Sequence, residues 1–200
     1  MAATNRQKLD KIAREWREHY EDEFQLDTTY LVRGVYNPAQ LQDSIRAQLK
    51  DLYIRQAIIA VGARDILDAS DWGVIGSELR AQYGYLDTLV QQVITKANGA
   101  ANGDIDPTTG KPYEPMSPKM LWYRLRSFSK QSRYIYERIR VKHGGKPDDV
   151  LIYTRHREDS CAVCIERDGT IATRDSLPFY PGKGTICLFN CACTWENHSK

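Results

Sequence analysis

Five cysteines fall within the last forty residues of a 200-residue chain, and the first 160 positions hold none. They read Cys161-Ala-Val-Cys164, Cys187 and Cys191-Ala-Cys193. A set this local fixes one small region; it is not a stock of small core residues. Cys-x-x-Cys places two thiols on one tight turn, close enough to share a tetrahedral ion, and a second group roughly twenty residues on supplies the remaining ligands of a structural zinc site. The spacing nominates Cys161, Cys164, Cys187 and Cys191. Cys193 is the contested fifth. It can replace Cys191, and because residues i and i+2 of a strand share a face, both can reach the ion. Disulfides and free buried thiols stay open as alternatives. An odd number leaves a disulfide scheme with one thiol over. A redox Cys-x-x-Cys opens a helix after a strand in a thioredoxin-like unit, whereas this one precedes the turn signal Asp168-Gly169. His156 and His198 flank the cluster and read as solvated.

The remainder has to supply a conventional core. Hydrophobic residues make up 42% of the chain, enough for one domain and a small appendage. The N-terminus is polar, with no apolar h-region, so no signal peptide is expected. The longest apolar run, Ala57 to Val61, is far too short to span a bilayer. These features predict a protein made in a reducing cytoplasm, with no membrane partner.

Hydrophobic periodicity predicts a mainly α fold. In residues 4–26, Leu9, Ile12, Trp16, Tyr20 and Phe24 recur at steps of three and four. Asn37-Pro38 starts a second helix, cap then proline, expected to reach Ala69 with a bend near Gly62. Its apolar positions are Leu41, Ile45, Leu49, Leu52, Ile59 and Ile66. Ser70-Asp71 offers the cap of a third helix carrying Ile75, Leu79, Leu86, Val90 and Ile94, and Asn98-Gly99 stops it. Residues 98–116 read as an exposed loop. Asp104, Asp106 and Glu114 hint at a calcium loop, but Thr109 stands where that loop needs glycine. Ser117-Pro118 starts a fourth helix, expected to end at Gly144-Gly145 with Leu121, Leu125, Phe128, Ile135 and Ile139 inward.

Charge is concentrated on that fourth helix. Residues 117–143 carry eight basic side chains and one acidic, leaving 20 basic and 25 acidic residues elsewhere. Two readings compete: the helix lies against the acidic first helix, which is favoured because basic side chains commonly cover solvated faces, or it meets a nucleic-acid backbone or acidic protein. Arg124, Arg126, Lys130, Arg133, Arg138 and Arg140 would make the DNA contact.

Beyond Pro147 the character changes. Residues 150–154, 169–173 and 193–196 read as short strands around an irregular loop, Leu177 to Thr185. The expected organisation is a bundle of about four long helices over residues 1–146, followed by a small Cys-stapled β/loop module over 147–200. A segment so small buries little core, which a metal or disulfide staple offsets. Catalytic signals are weak. Gly182-Lys183-Gly184-Thr185 lacks the first glycine of a phosphate loop. A Cys164–His156 pair would need a third, orienting group. Asn197-His198 is too little for a zinc-finger nuclease. No enzyme is expected, a nuclease or toxin-like tail being the least favoured alternative.

The tail resembles the C-terminal module of the tailed-bacteriophage head-morphogenesis, or minor head, protein family. The resemblance rests on Asp159-Ser-Cys-Ala-Val-Cys164, Asp168-Gly169, Leu177-Pro178, Pro181-Gly182, Cys187 and Asn190-Cys-Ala-Cys-Thr-Trp195, with the Arg/Tyr-rich segment Ser127 to Gly144 leading in. It covers about the last eighty residues. Ala192 stands where the family usually has arginine between the last two cysteines. The resemblance implies a virion structural or assembly protein, a minor capsid or head–tail junction component. It would self-assemble in many copies or in a ring and contact portal, capsid or neck proteins. The alternative from another class is a nucleic-acid-binding protein using helix 117–143.

Overall fold

A computed structural model describes residues 2–181, 183, 191 and 193–198. The fold is mainly helical, with a small three-stranded antiparallel sheet near the C-terminus. Helix α1 spans Ala2–Val32, longer than its apolar stripe, because the polar residues after Phe24 find buried partners. Asp27 accepts from Ser44 and Gln48, and Thr28 Oγ1 donates to the Phe24 carbonyl.

Helix α2 spans Pro38–Val61 and opens on a full capping box, Asn37 and Gln40 each bonding the other's backbone N–H. It ends where Gly62 turns left-handed at φ 89°, so the expected bend is a true stop. A 3₁₀ turn, Arg64–Ile66, follows, which puts Ile66 at the surface instead of on a helix core face. Helix α3, Ala69–Asn102, is capped by Asp68 and not by Ser70-Asp71. Asp68 accepts from the N–H groups of Ser70 and Asp71, while Asp71 reaches back to the Asp68 N–H. Asn98-Gly99 fails to stop α3, which continues to Asn102 and is capped by Gly103. The loop beyond is ordered by a bridge between Ile105 and Pro112.

The basic segment forms two helices, α4 at Pro118–Gln131 and α5 at Arg133–His143. Buried Ser132 separates them, its hydroxyl bonding the Ser129 carbonyl at 2.6 Å. Such local side-chain bonds compete with the helical ladder. The break lets α4 pack on α1 while α5 packs on α2. All five long helices feed one core, including Phe24, Ile45, Leu52, Leu86, Leu125 and Ile135.

The sheet order is β2-β1-β3, with β1 Val150–Thr154, β2 Ile171–Thr173 and β3 Thr194–Asn197. Leu151 faces Ala172 across one edge and Tyr153 faces Trp195 across the other. A six-residue helix, α6 (Ala162–Arg167), joins β1 to β2. Leu151, Tyr153, Trp195, three cysteines and Val141 of α5 make a second, smaller core. Buried Arg174 ties this unit to the end of α5, donating to the Val141 and Lys146 carbonyls and to Asn197 Oδ1.

Candidate metal centre

The second core is built around thiols. Cys161 occupies the N-cap of α6 and Cys164 lies one turn on, its N–H bonded to the Cys161 carbonyl at 2.9 Å. Cys191 and Cys193 lie just before β3, and pairing of β3 with β1 brings them beside Tyr153. Cys164, Cys191 and Cys193 are all buried, and their sulfurs lie within 4.8 Å of one another. The Cys164 and Cys191 sulfurs are 3.6 Å apart. A tetrahedral zinc with bonds of about 2.3 Å sets its sulfurs roughly 3.8 Å apart. The cluster can therefore hold a metal ion.

Both residues of the Cys191/Cys193 pair face the same point, the arrangement in which the contested fifth cysteine joins its neighbour. Cys161 is half-buried and packs on the cluster. Cys187 lies outside the described residues. The four described cysteines form no disulfide with one another.

The surroundings suit thiolate ligands. The Tyr153 hydroxyl lies 3.8 Å from the sulfurs of both Cys164 and Cys191. Burial, with the neighbouring thiols, raises the Tyr153 phenol far above its usual range, so it stays a proton donor. Burial acts to raise the Cys191 thiol too. The Cys193 N–H and the hydrogen bonds with Tyr153 and Cys164 outweigh it and bring Cys191 below its ordinary value. Cys193 is raised by burial, with the charge of Cys191 adding to the effect. The rings of Tyr153, Phe179 and Trp195 pack mutually at 5.0–5.4 Å between centroids and screen the cluster from water. The Trp195 indole N–H is satisfied by the Phe179 carbonyl at 3.0 Å.

Among the described residues, His156 does not pair with a cysteine. Its Nε2 lies 2.8 Å from Thr194 Oγ1 and 3.3 Å from Glu196. His198 is exposed and contributes a backbone N–H to the Val150 carbonyl.

A second metal-like group escaped the sequence reading: Asp68, Asp71 and His143. The Lys142 ammonium sits among its oxygens, 2.6 Å from Asp68, 2.8 Å from Asp71 and 2.7 Å from Ser70. That cation, with His143 on the other Asp71 oxygen at 2.7 Å, makes the group a bolt between the start of α3 and the end of α5. Only the Asp68-x-x-Asp71 cap is visible in sequence.

Most of the basic helix is engaged internally. Arg126 meets Glu21 of α1 at 2.5 Å, and Ser129 bonds the same carboxylate. Arg140 grips Glu137 at 2.6 Å, and Arg133 donates to the Cys191 carbonyl. Arg138 lies over the rings of Tyr134 and Tyr180. Of the six residues named for a DNA contact, Arg124 alone is exposed, and it bonds Gln92. No helix among the described residues is long and apolar enough to cross a membrane. Comparison with protein-family models, curated proteins and solved structures found no match.

Proposed function

We propose that this chain is a structural or assembly component of a tailed-phage particle, a minor capsid or head–tail junction protein, whose C-terminal module is held by a structural zinc ion. The observation that carries the reading is the buried, mutually adjacent trio Cys164, Cys191 and Cys193, lying within the motif that resembles the head-morphogenesis module. Those three thiolates would bind the ion. Cys161 is the preferred fourth ligand, because it begins the turn that carries Cys164, and Cys187 is its competitor. The ion would cross-link the start of α6 to the approach of β3, supplying stability that so small a core lacks.

A structural role suits the chemistry better than catalysis. The sulfurs are buried beside aromatic rings, and the His156 imidazole bonds Thr194. A nucleophile needs access and an adjacent base. DNA binding through helix 117–143 is the weaker reading, because its arginines already have partners on the protein.

Two measurements test the proposal together. Metal analysis of reduced, purified protein should find about one zinc per chain. Mass spectrometry of particles from the source should find the chain at fixed stoichiometry with portal and capsid proteins. Metal-free folded protein would overturn the zinc, and absence from particles but presence in infected cells would overturn the virion role.

A further inference from the structure

A cavity of about 580 Å³ lies where the N-terminal part of α1, one face of α5 and the outer edge of β3 meet. Five arginines line it, Arg6, Arg14, Arg17, Arg133 and Arg157, together with His156. Three carboxylates share the wall, Asp10, Glu137 and Glu196, and each already has a partner. Asp10 accepts the Tyr136 hydroxyl at 2.6 Å, Glu137 is gripped by Arg140, and Glu196 lies against His156 and Thr194.

Arg6 holds its acids loosely, 3.8 Å from Asp10 and 3.6 Å from Glu196, and Arg14 stands 3.9 Å from Glu18, whereas Arg133 is engaged by the Cys191 carbonyl and by Glu137. These separations exceed the hydrogen-bonding range of about 2.7–3.2 Å. Elsewhere in this protein, Arg126–Glu21 and Arg140–Glu137 close to 2.5 and 2.6 Å. Arg17 bonds the Gln56 amide oxygen at 2.7 Å and has no carboxylate within 4.0 Å among the described residues. The exposed Arg157 side chain has no polar partner among the described residues. Burial first, and then the neighbouring Arg133, bring the Arg17 guanidinium down to about 10.

We propose that this cavity is a binding site for an oligophosphate: two or three linked phosphate groups, free in solution or consecutive in a nucleic-acid backbone. Guanidinium forks match phosphate oxygens two at a time, and a multivalent anion relieves the mutual repulsion of several cations at once. The site reads the phosphate chain and not a base. Its one tyrosine, Tyr136, is buried and spends its hydroxyl on Asp10, and the His156 imidazole is held at Nε2 by Thr194 and Glu196.

The test is calorimetric titration of the full chain as purified with tripolyphosphate at low salt, with zinc content checked before and after. One site per chain is expected, weakening as salt rises. The double substitution of the exposed Arg14 and Arg157 to glutamine should weaken binding at least tenfold, with the far-ultraviolet spectrum unchanged. Arg17→Gln should do the same where it folds, and Arg33→Gln, an exposed position outside the cavity, should change nothing. Displacement of tripolyphosphate by a single-stranded oligonucleotide assigns the phosphates to a nucleic-acid backbone, and failure to displace assigns them to a free anion. No binding at low salt, or binding indifferent to loss of Arg14 and Arg157, would overturn the proposal.

Discussion

The guanidinium of Arg133 donates to the backbone carbonyl of Cys191, so the first residue of α5 is bonded directly to the thiol cluster. This places a charged donor from the helical body on the chain that carries two of the three gathered thiols. Arg174, reaching from the other side of the sheet to the Val141 carbonyl, makes the opposite clamp. The small core and the large one are therefore joined by arginine-to-carbonyl bonds as well as by the side chain of Val141.

Arg133→Met should loosen the cysteine module while leaving the helices intact. The lost bond has a charged donor and a half-buried setting, so the expected cost is about 1–2 kcal/mol. Native-state hydrogen exchange should show protection falling across residues 193–197 and holding in α2 and α4. Equal loss in both regions would mean that the bond serves the whole core and not the junction.

Substituting single cysteines separates ligands from bystanders. Cys164→Ser and Cys191→Ser should abolish stoichiometric zinc, because their sulfurs are 3.6 Å apart and fully enclosed. Cys193→Ser should do likewise, because its sulfur lies within 4.8 Å of both others. Cys161→Ser should destabilise the chain beyond residue 150 and spare the helices. Metal content by mass spectrometry and the near-ultraviolet signal of Tyr153 and Trp195 report the outcomes, and retained zinc in Cys164→Ser would remove it from the site.

Much of this fold is legible in sequence where a periodic stripe coincides with a cap. Asn37-Pro38 and Ser117-Pro118 start α2 and α4 as written, and the stripes through Leu41, Ile45, Leu49, Leu121 and Leu125 are the core. The errors fall where tertiary contacts decide. Asp68 takes the cap of α3 where Lys142, more than seventy residues away, neutralises Asp68 and Asp71 and His143 bonds Asp71. Ser132 splits the basic helix through hydroxyl bonds that acquire meaning only when Ser129 meets Glu21. At the site, spacing proposes the cysteines, but it does not choose among four of five. The pairing of β1 with β3 brings Cys191 and Cys193 to the same place, and long-range register is not written in local pattern.

Glu137 should make stability fall in acid. It is buried, and burial alone would raise its carboxyl, but Arg140 and then Arg133 outweigh that and hold it below its usual value of 4.5. The unfolded chain therefore takes up this proton at higher pH than the folded one. Stability contributed by Glu137 is complete above the unfolded value and drains away as pH falls through the lower, folded value. Urea midpoints measured from pH 7 to pH 3 should drop in the wild type. Glu137→Gln should start about 3 kcal/mol lower, since it leaves two partly buried cations uncompensated, and should show a shallower acid slope. An unchanged slope would assign acid sensitivity to other carboxylates.

Gly99→Ala opposes two effects of known sign. Alanine in a helix is favoured over glycine by about 1 kcal/mol, and Gly99 is helical. A Cβ built there, however, would lie 2.4 Å from Cδ2 and 2.6 Å from Cγ of Tyr113. Those atoms are at the root of the ring, so relief requires moving the 104–113 backbone, which is pinned by the Tyr113 N–H to the Asp104 carbonyl at 3.0 Å. Overpacking of this kind costs about 1–3 kcal/mol, so the net effect should be a modest loss of stability with faster exchange at Tyr113. This close approach also explains why α3 runs through Asn98-Gly99: the bare glycine is the seat for the ring. Adding Tyr113→Ala should remove the clash and release the helix gain, making the double variant more stable than the sum of the single effects. Thermal denaturation of the four proteins completes the cycle, and strict additivity would separate Gly99 from Tyr113.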